Sequence, residues 1–134
     1  MMSKSVYLGG AFAQFTAAEV VAKQAEVEAL LPEGVQCFKP QHREGYNPSL
    51  GEENIGSILT TRDYEMIKRS DVLILDVLGA QKASAGSFIE IGWASEMKKP
   101  IVLIAEEGNV HRHIMAMNLI TACVISRRQA ADVV

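Results

Sequence analysis

The sequence predicts an α/β fold, a single domain in which five parallel strands alternate with helices. Two observations predict it. Short, nearly all-apolar runs are bounded by turn formers, and between them lie longer segments with apolar residues at helical spacing. A strand that is apolar along its whole length is buried on both sides, so helices must cover both faces of the sheet. With 134 residues, the chain suits one domain whose core buries about two-thirds of the unfolded surface.

The elements follow in order. Val6–Leu8 is a first strand that ends in Gly9-Gly10. From about Gln14 to Leu31, Phe15, Ala18, Val21, Ala22, Ala25 and Ala29 recur at helical spacing, and Pro32-Glu33-Gly34 ends the run. Val35–Phe38 is the second strand. Lys39–Glu53 is polar and rich in turn formers (Pro40, Gly45, Asn47, Pro48, Gly51), and a connection that long is usually functional or disordered. A helix over about Glu53–Arg69 leads into strand Val72–Asp76. A small-residue loop then opens a helix carrying Glu90, followed by strand Ile101–Ala105 and the polar run Glu106-Glu107-Gly108-Asn109. A short helix near His113–Leu119, a strand at Cys123–Ser126 and a tail of at most two helical turns, Arg127–Val134, complete the chain. No repeat or linker interrupts residues 1–134. The expected architecture is a Rossmann- or flavodoxin-like parallel five-stranded sheet with helices on both faces.

Composition narrows the function classes. Hydrophobic residues make up 49%, charged residues 22%, and the formal net charge is −3. Binding to a nucleic-acid polymer is not expected, because no basic stripe exists. Lys98-Lys99 and Arg127-Arg128 are isolated pairs that read as solvated surface. Cys37 and Cys123 sit in apolar, strand-like runs and read as buried free thiols of a reducing compartment. The apolar run near the N-terminus is too short for a signal peptide and no stretch is long enough to span a membrane, so the expected compartment is the cytoplasm. His111 and His113 have H-x-H spacing without further ligands nearby, so neither a metal nor another cofactor is expected.

The chemistry points to Asp71–Ala94, DVLILDVLGAQKASAGSFIEIGWA. In an open parallel sheet ligands collect beyond the carboxyl ends of strands, where loops meet helix N-termini. A carboxylate placed there among apolar residues, as Glu90 is, is a candidate nucleophile or proton carrier. Ser87 and Glu90 also stand in the S-x-x-E relation of a capping box, which would give Glu90 a purely structural role. Asp76 at the strand end either orients a site or caps its loop, and Trp93 reads as packing or a contact between subunits.

Three motifs together resemble the nucleoside 2-deoxyribosyltransferases and their relatives that cleave nucleoside 5′-monophosphates. VYLGGAF resembles the family's first strand and glycine turn. TTRDYEMIKRSDVLILDV resembles its helix with an embedded Asp and the strand after it. SAGSFIEIGWASEMKKPIVLI resembles the nucleophile segment, G-[ST]-x-x-E-x-G-x-A followed by a basic-Pro turn and a strand. The resemblance implies Glu90 as nucleophile, Asp63 as the acid that contacts and protonates the base, and Tyr7 as an aromatic hydroxyl beside the nucleophile. It also implies close backbone approach to the ligand at Gly9 and Gly10, and Phe12 as a ring packed on the base.

Residue chemistry agrees with those roles. Cleaving an N-glycosidic bond builds positive charge on the sugar and negative charge on the departing base; a carboxylate at C1′ traps the first and an acid relieves the second. One departure from the pattern is Ser84, where many deoxyribosyltransferases carry an Asp that meets the sugar hydroxyls. Ser84, Gly86 and Ser87 resemble instead the nucleotide-cleaving branch, in which such a loop holds a 5′-phosphate at a helix N-terminus. EEGNVHRHIMAMN resembles a segment that completes a neighbouring subunit's site, which implies a homo-oligomer with shared sites and makes His113 and Asn118 candidate ligand contacts. The expected function is base exchange on a 2′-deoxynucleoside through a Glu90-bound sugar. Hydrolysis of a nucleoside 5′-monophosphate and a non-catalytic nucleotide-binding module are the alternatives. The partners implied are small: a nucleoside or nucleotide and a free nucleobase, with no membrane.

Overall fold

A computed structural model describes residues 4–134; Met1–Ser3, the beginning of the stretch read for a signal peptide, lie outside the described residues. Five parallel strands, β1 (Ser5–Gly10), β2 (Gln36–Phe38), β3 (Val72–Asp76), β4 (Ile101–Ile104) and β5 (Ala122–Val124), form one sheet in the order β2-β1-β3-β4-β5. The helices are α1 (Ala17–Leu30), α2 (Glu52–Arg69), α3 (Ala85–Glu96), α4 (Ile114–Met117) and α5 (Arg127–Val133). The expected single α/β domain is present, with the flavodoxin-like strand order. That order reverses direction between β1 and β3, which opens a crevice beyond their carboxyl ends. No helix among the described residues is long and apolar enough to cross a membrane.

Side-chain alternation divides the core into two layers. Val6, Leu8, Val72, Ile74, Val102 and Ile104 pack with Val27 of α1 and Ala130 of α5. Tyr7, Leu73, Leu75 and Leu103 point the other way and pack with Ile67 of α2, Ile91 and Ala94 of α3, and Ala116 of α4. Full burial of each such aliphatic side chain contributes about 1.5–3 kcal/mol. The same alternation aims Tyr7 and Asp76 to opposite sides of the sheet.

Several expectations are corrected. First, β1 does not stop at Leu8: Gly9 and Gly10 continue it, in register with Leu75 and Asp76. A Cβ on Gly10 would collide with the carbonyl oxygen of Asp76, so glycine is what lets the two strand ends close up. Second, the first helix begins at Ala17. Phe12–Gln14 is a separate 3₁₀ turn, and Thr16 starts the helix through a capping box with Glu19 (3.1 and 2.9 Å). Its buried positions are Val20, Gln24 and Val27 rather than the alanine-rich stripe, and Val21 is 64% exposed. Alanines on several faces leave the periodicity weak, and packing chooses the face; Gln24 donates to the carbonyls of Leu8 and Pro40.

Third, the paired cations are not all solvated. Arg127 donates to Asp76 at 2.7 Å and to Glu26 at 2.8 Å, with its side chain only 17% exposed. Lys99 donates to the Ser70 carbonyl. Asp76 also accepts from Leu78 N, so it caps its own loop and ties β3 to α5. Cys37 and Cys123 are free, as expected, but half-buried rather than buried. Burial pushes the Cys37 thiol up to about 11, with the Glu28 charge adding to it.

Candidate active site

A cavity of about 640 Å³ opens between α2, α3, the turn after β1 and the first part of the 39–53 connection. Each wall has a local reason. On α2, Gly56, Leu59, Thr60 and Asp63 line the cavity; their spacing of i, i+3, i+4 and i+7 places them on one helix face. On α3, Gly86, Ile89, Glu90 and Trp93 do the same. Trp93 meets Tyr64 edge to face, with ring centroids 5.2 Å apart. Tyr7 reaches the cavity from β1, fully buried by its position in the alternation.

The capping of α3 decides which groups Glu90 meets. Ser84 is the N-cap, accepting from Ser87 N at 3.1 Å, and Ser87 Oγ donates to Ser84 Oγ at 3.0 Å. Ser87 therefore lies inside the helix, and the capping box with Glu90 does not form. Glu90, only 7% exposed, accepts instead from the Tyr7 hydroxyl. Asp63 comes close enough to the same hydroxyl for each to influence the other's ionisation.

Among the described residues no cation pairs with this group. The ion pairs among the described residues are Lys39–Glu28, Arg43–Glu52, Arg127–Glu26 and Arg127–Asp76. Burial pushes Glu90 up to about 8; the phenol's hydrogen bond pulls it down and the Asp63 charge adds to the rise. Burial likewise raises Asp63 to about 6, moderated by Tyr7. Tyr7 is held well above its ordinary value by burial, then by the charges of Glu90 and Asp63, so it remains a neutral donor. Two carboxyls with strongly raised affinities for protons, facing one cavity, are equipped to exchange protons near neutral pH.

The structure brings Tyr7, Gly10, Phe12, Asp63, Ser84, Gly86 and Glu90 to one cavity. It does not bring the others. Gly9 lies behind Tyr7 and packs against Leu75, and Ser87 is buried within α3. His113 and Asn118 do not line the cavity of their own chain. His113 caps α4 through Met115 N, and the Asn118 side chain donates to the Ile114 carbonyl. A one-turn helix needs such polar ends, which accounts for both residues locally.

Sequence reasoning missed His42 and Gln14. His42 lines the cavity and accepts from Glu44 N at 3.1 Å through Nδ1. Its Nε2 therefore carries the proton and donates to the Phe12 carbonyl at 3.1 Å. Gln14 accepts from Gln81 N and Lys82 N and donates to the Lys82 carbonyl, joining the turn after β1 to the loop after β3. The only available signal was the long polar connection containing His42, which marks a region and not a residue.

A flavodoxin-like sheet with a carboxyl pair at its switch point belongs to the class of small-molecule α/β enzymes. The chain belongs to the nucleoside 2-deoxyribosyltransferase family, whose sequence model matches residues 6–126. The protein is thus an enzyme of nucleoside chemistry. It is similar to the 2-deoxyribosyltransferase of the psychrotolerant bacterium Bacillus psychrosaccharolyticus, with 21% identity and a TM-score of 0.72 over 96% of this chain and 90% of that one. It is also similar to the CMP N-glycosidase BcmB of Clostridium botulinum, with 23% identity and a TM-score of 0.59 over 96% and 95%. A 2-desoxiribosyltransferase from Leishmania mexicana aligns with 24% identity and a TM-score of 0.57 over 76% and 64%. These likenesses concern the fold. No curated protein matches the chain.

Proposed function

We propose that the protein exchanges the base of a 2′-deoxynucleoside through a covalent sugar intermediate on Glu90. The observation that carries this reading is the hydrogen bond from Tyr7 to Glu90 beside Asp63, in a cavity large enough for a nucleoside. The Glu90 carboxylate attacks C1′ as the N-glycosidic bond breaks. The base departs with the bonding electron pair and takes a proton from Asp63. An acceptor base then attacks C1′, Glu90 leaves, and Asp63 recovers a proton, so that two displacements retain configuration. Tyr7 orients Glu90, Phe12 offers a ring to the base, Gly10 admits close approach, and Ser84 and Gly86 face the sugar. The working state holds one proton on Asp63 and none on Glu90. The Tyr7 hydroxyl interacts with both carboxyls and gives that proton a path between them.

A second reading, hydrolysis of a nucleoside 5′-monophosphate, is favoured by Ser84 at the α3 N-cap and by Arg43 and Lys82 in the cavity wall. Water then replaces the acceptor base. Incubation with deoxynucleosides and deoxynucleotides, with and without a free base, separates the readings. New nucleosides establish exchange; free base with sugar or sugar phosphate establishes hydrolysis; no product leaves a binding module.

His113 and Asn118 enter this reading through a homo-oligomer with shared sites. In support, α4 carries Ile114 and Met115 at 75% and 74% exposure, and Met-rich surfaces adapt to partners. Mixing an inactive Glu90 variant with an inactive variant in residues 113–118 is expected to restore activity. An active monomer at assay concentration would overturn it.

A further inference from the structure

His111 has a place of its own in the structure. It is fully buried and touches the start of α3 twice. Its Nε2 accepts the Ser84 backbone N–H at 2.8 Å, and its ring packs on Phe88 with centroids 5.5 Å apart. Its Nδ1 faces Asn109 Oδ1 at 2.8 Å, and that oxygen also accepts the His111 backbone N–H at 2.9 Å. Asn109 Nδ2 in turn donates to the carbonyl of Val77, the residue after β3, at 2.8 Å.

Every direction in this chain is forced. The Val77 carbonyl only accepts, so the Asn109 nitrogen faces it and the Asn109 oxygen faces His111. That oxygen only accepts, so Nδ1 carries the ring proton. The Ser84 amide only donates, so Nε2 is bare. His111 is therefore a neutral imidazole in a defined tautomer.

We propose that His111 is a positioning residue for the nucleophile helix: it links the end of β3 to the first turn of α3 and so sets where Glu90 meets Tyr7 and the substrate. The proposal rests on the reading of Glu90 as nucleophile. Ser84, whose amide His111 holds, is both the N-cap of α3 and part of the cavity wall. Glu90 follows six residues later on the same helix, so a shift of the first turn carries through to its carboxylate. A misplacement of about 1 Å at a reacting group can lower a rate about a hundredfold. Burial holds the imidazole below its ordinary value against the opposing charge of Glu106, which keeps Nε2 free to accept. Glu106 is itself engaged by Gly79 N and by Asn109.

The test combines NMR of the ring with kinetics of two variants. Long-range ¹H–¹⁵N spectra of the intact protein at neutral pH should give the Nδ1–H tautomer for His111; an Nε2–H tautomer or an imidazolium overturns the proposal. H111L removes the acceptor, whereas H111Q retains an oxygen of similar reach. With a 2′-deoxynucleoside donor and a free base, H111L should lose about 10- to 100-fold in kcat with KM changed less than about threefold, and H111Q should recover to within a few-fold of wild type. Equal kcat for the two variants, or an H111L protein that melts earlier but keeps wild-type kcat, overturns the positioning role alone. If H111L does not fold, an H111Q kcat below about a tenth of wild type overturns it. A wild-type protein inactive on every donor overturns the reading of Glu90, and this proposal with it.

Discussion

Two buried carboxyls on opposite sides of the sheet have opposite fates. Asp76, at the end of β3, accepts from Arg127 at 2.7 Å and from Leu78 N. Glu90, on α3, meets only the neutral phenol of Tyr7, with the carboxyl of Asp63 nearby. A charge buried with a partner ties elements together. A carboxyl buried without a cation takes up a proton more readily and stands ready to react. The α1/α5 side of the sheet is thus organised for cohesion, and the α2/α3 side holds an electrostatic tension that the fold tolerates.

The sharpest way to break this comparison is Glu90→Gln. Loss of the proposed nucleophile should lower turnover at least about a thousandfold, yet the protein should become more stable near pH 8. Folding raises the Glu90 pKa from its ordinary value of 4.5 to about 8, so the folded state binds the proton more tightly than the unfolded chain. Its favourable contribution is fully present below about 4.5 and is lost as pH rises through about 8. Glutamine carries no charge and avoids that loss, so a gain of about 1–3 kcal/mol is expected at pH 8 and little at pH 4. Thermal melts of both proteins at the two pH values check it. A variant less stable than wild type at pH 8 would show that Glu90 is a structural carboxyl like Asp76.

Asp63→Asn should have the next largest effect, about a hundredfold in kcat, steepest for the bases that leave least readily. Equal slowing across bases of different basicity would reduce Asp63 to positioning. The pH profile sharpens the same point. The proposed mechanism needs one proton on the Glu90–Asp63 pair, so kcat/KM should be bell-shaped with limbs near 6 and 8, values that belong to the pair rather than to either residue. In the D63N variant the alkaline limb should vanish, because only the ionisation of Glu90 then remains.

Smallest in its effect on catalysis is Asp76→Asn on the other side. It removes the anion from Arg127 while leaving Glu26 in place, so stability should fall by about 1–3 kcal/mol with kcat within about threefold of wild type. Urea titration and steady-state kinetics on one preparation check both halves. A large loss of kcat would mean that the two sides of the sheet are coupled.

Much of this contrast was legible in the chain, though unevenly. β3 appears with the bounds its apolar run predicts, and α2 and β2 each begin within a residue of theirs. The buried face of α1 was misread because alanine fits core and surface alike. Gly9-Gly10 resembled a turn, whereas their lack of side chains serves close strand packing. The S-x-x-E pattern at Ser87 pointed to a cap that Ser84 provides instead. His111 read only as half of an H-x-H pair because nothing around it in sequence announces the Ser84 amide, 27 residues away, that it accepts.

By itself the sequence determined the parallel α/β class and singled out Glu90 as a candidate carboxylate, while Tyr7 and Asp63 were implied by the family resemblance. Strand periodicity, turn chemistry and motif spacing act within one element and can be read there. Only the tertiary structure decided that Asp76 turns to Arg127 while Tyr7 turns to Glu90, 83 residues away. It also decided that His42 enters the cavity and that His113 and Asn118 stay out of their own chain's cavity. The physical reason is that register and crossover direction set which face each side chain occupies, and burial at that face sets its protonation. Both are properties of elements brought together, and neither belongs to any segment alone.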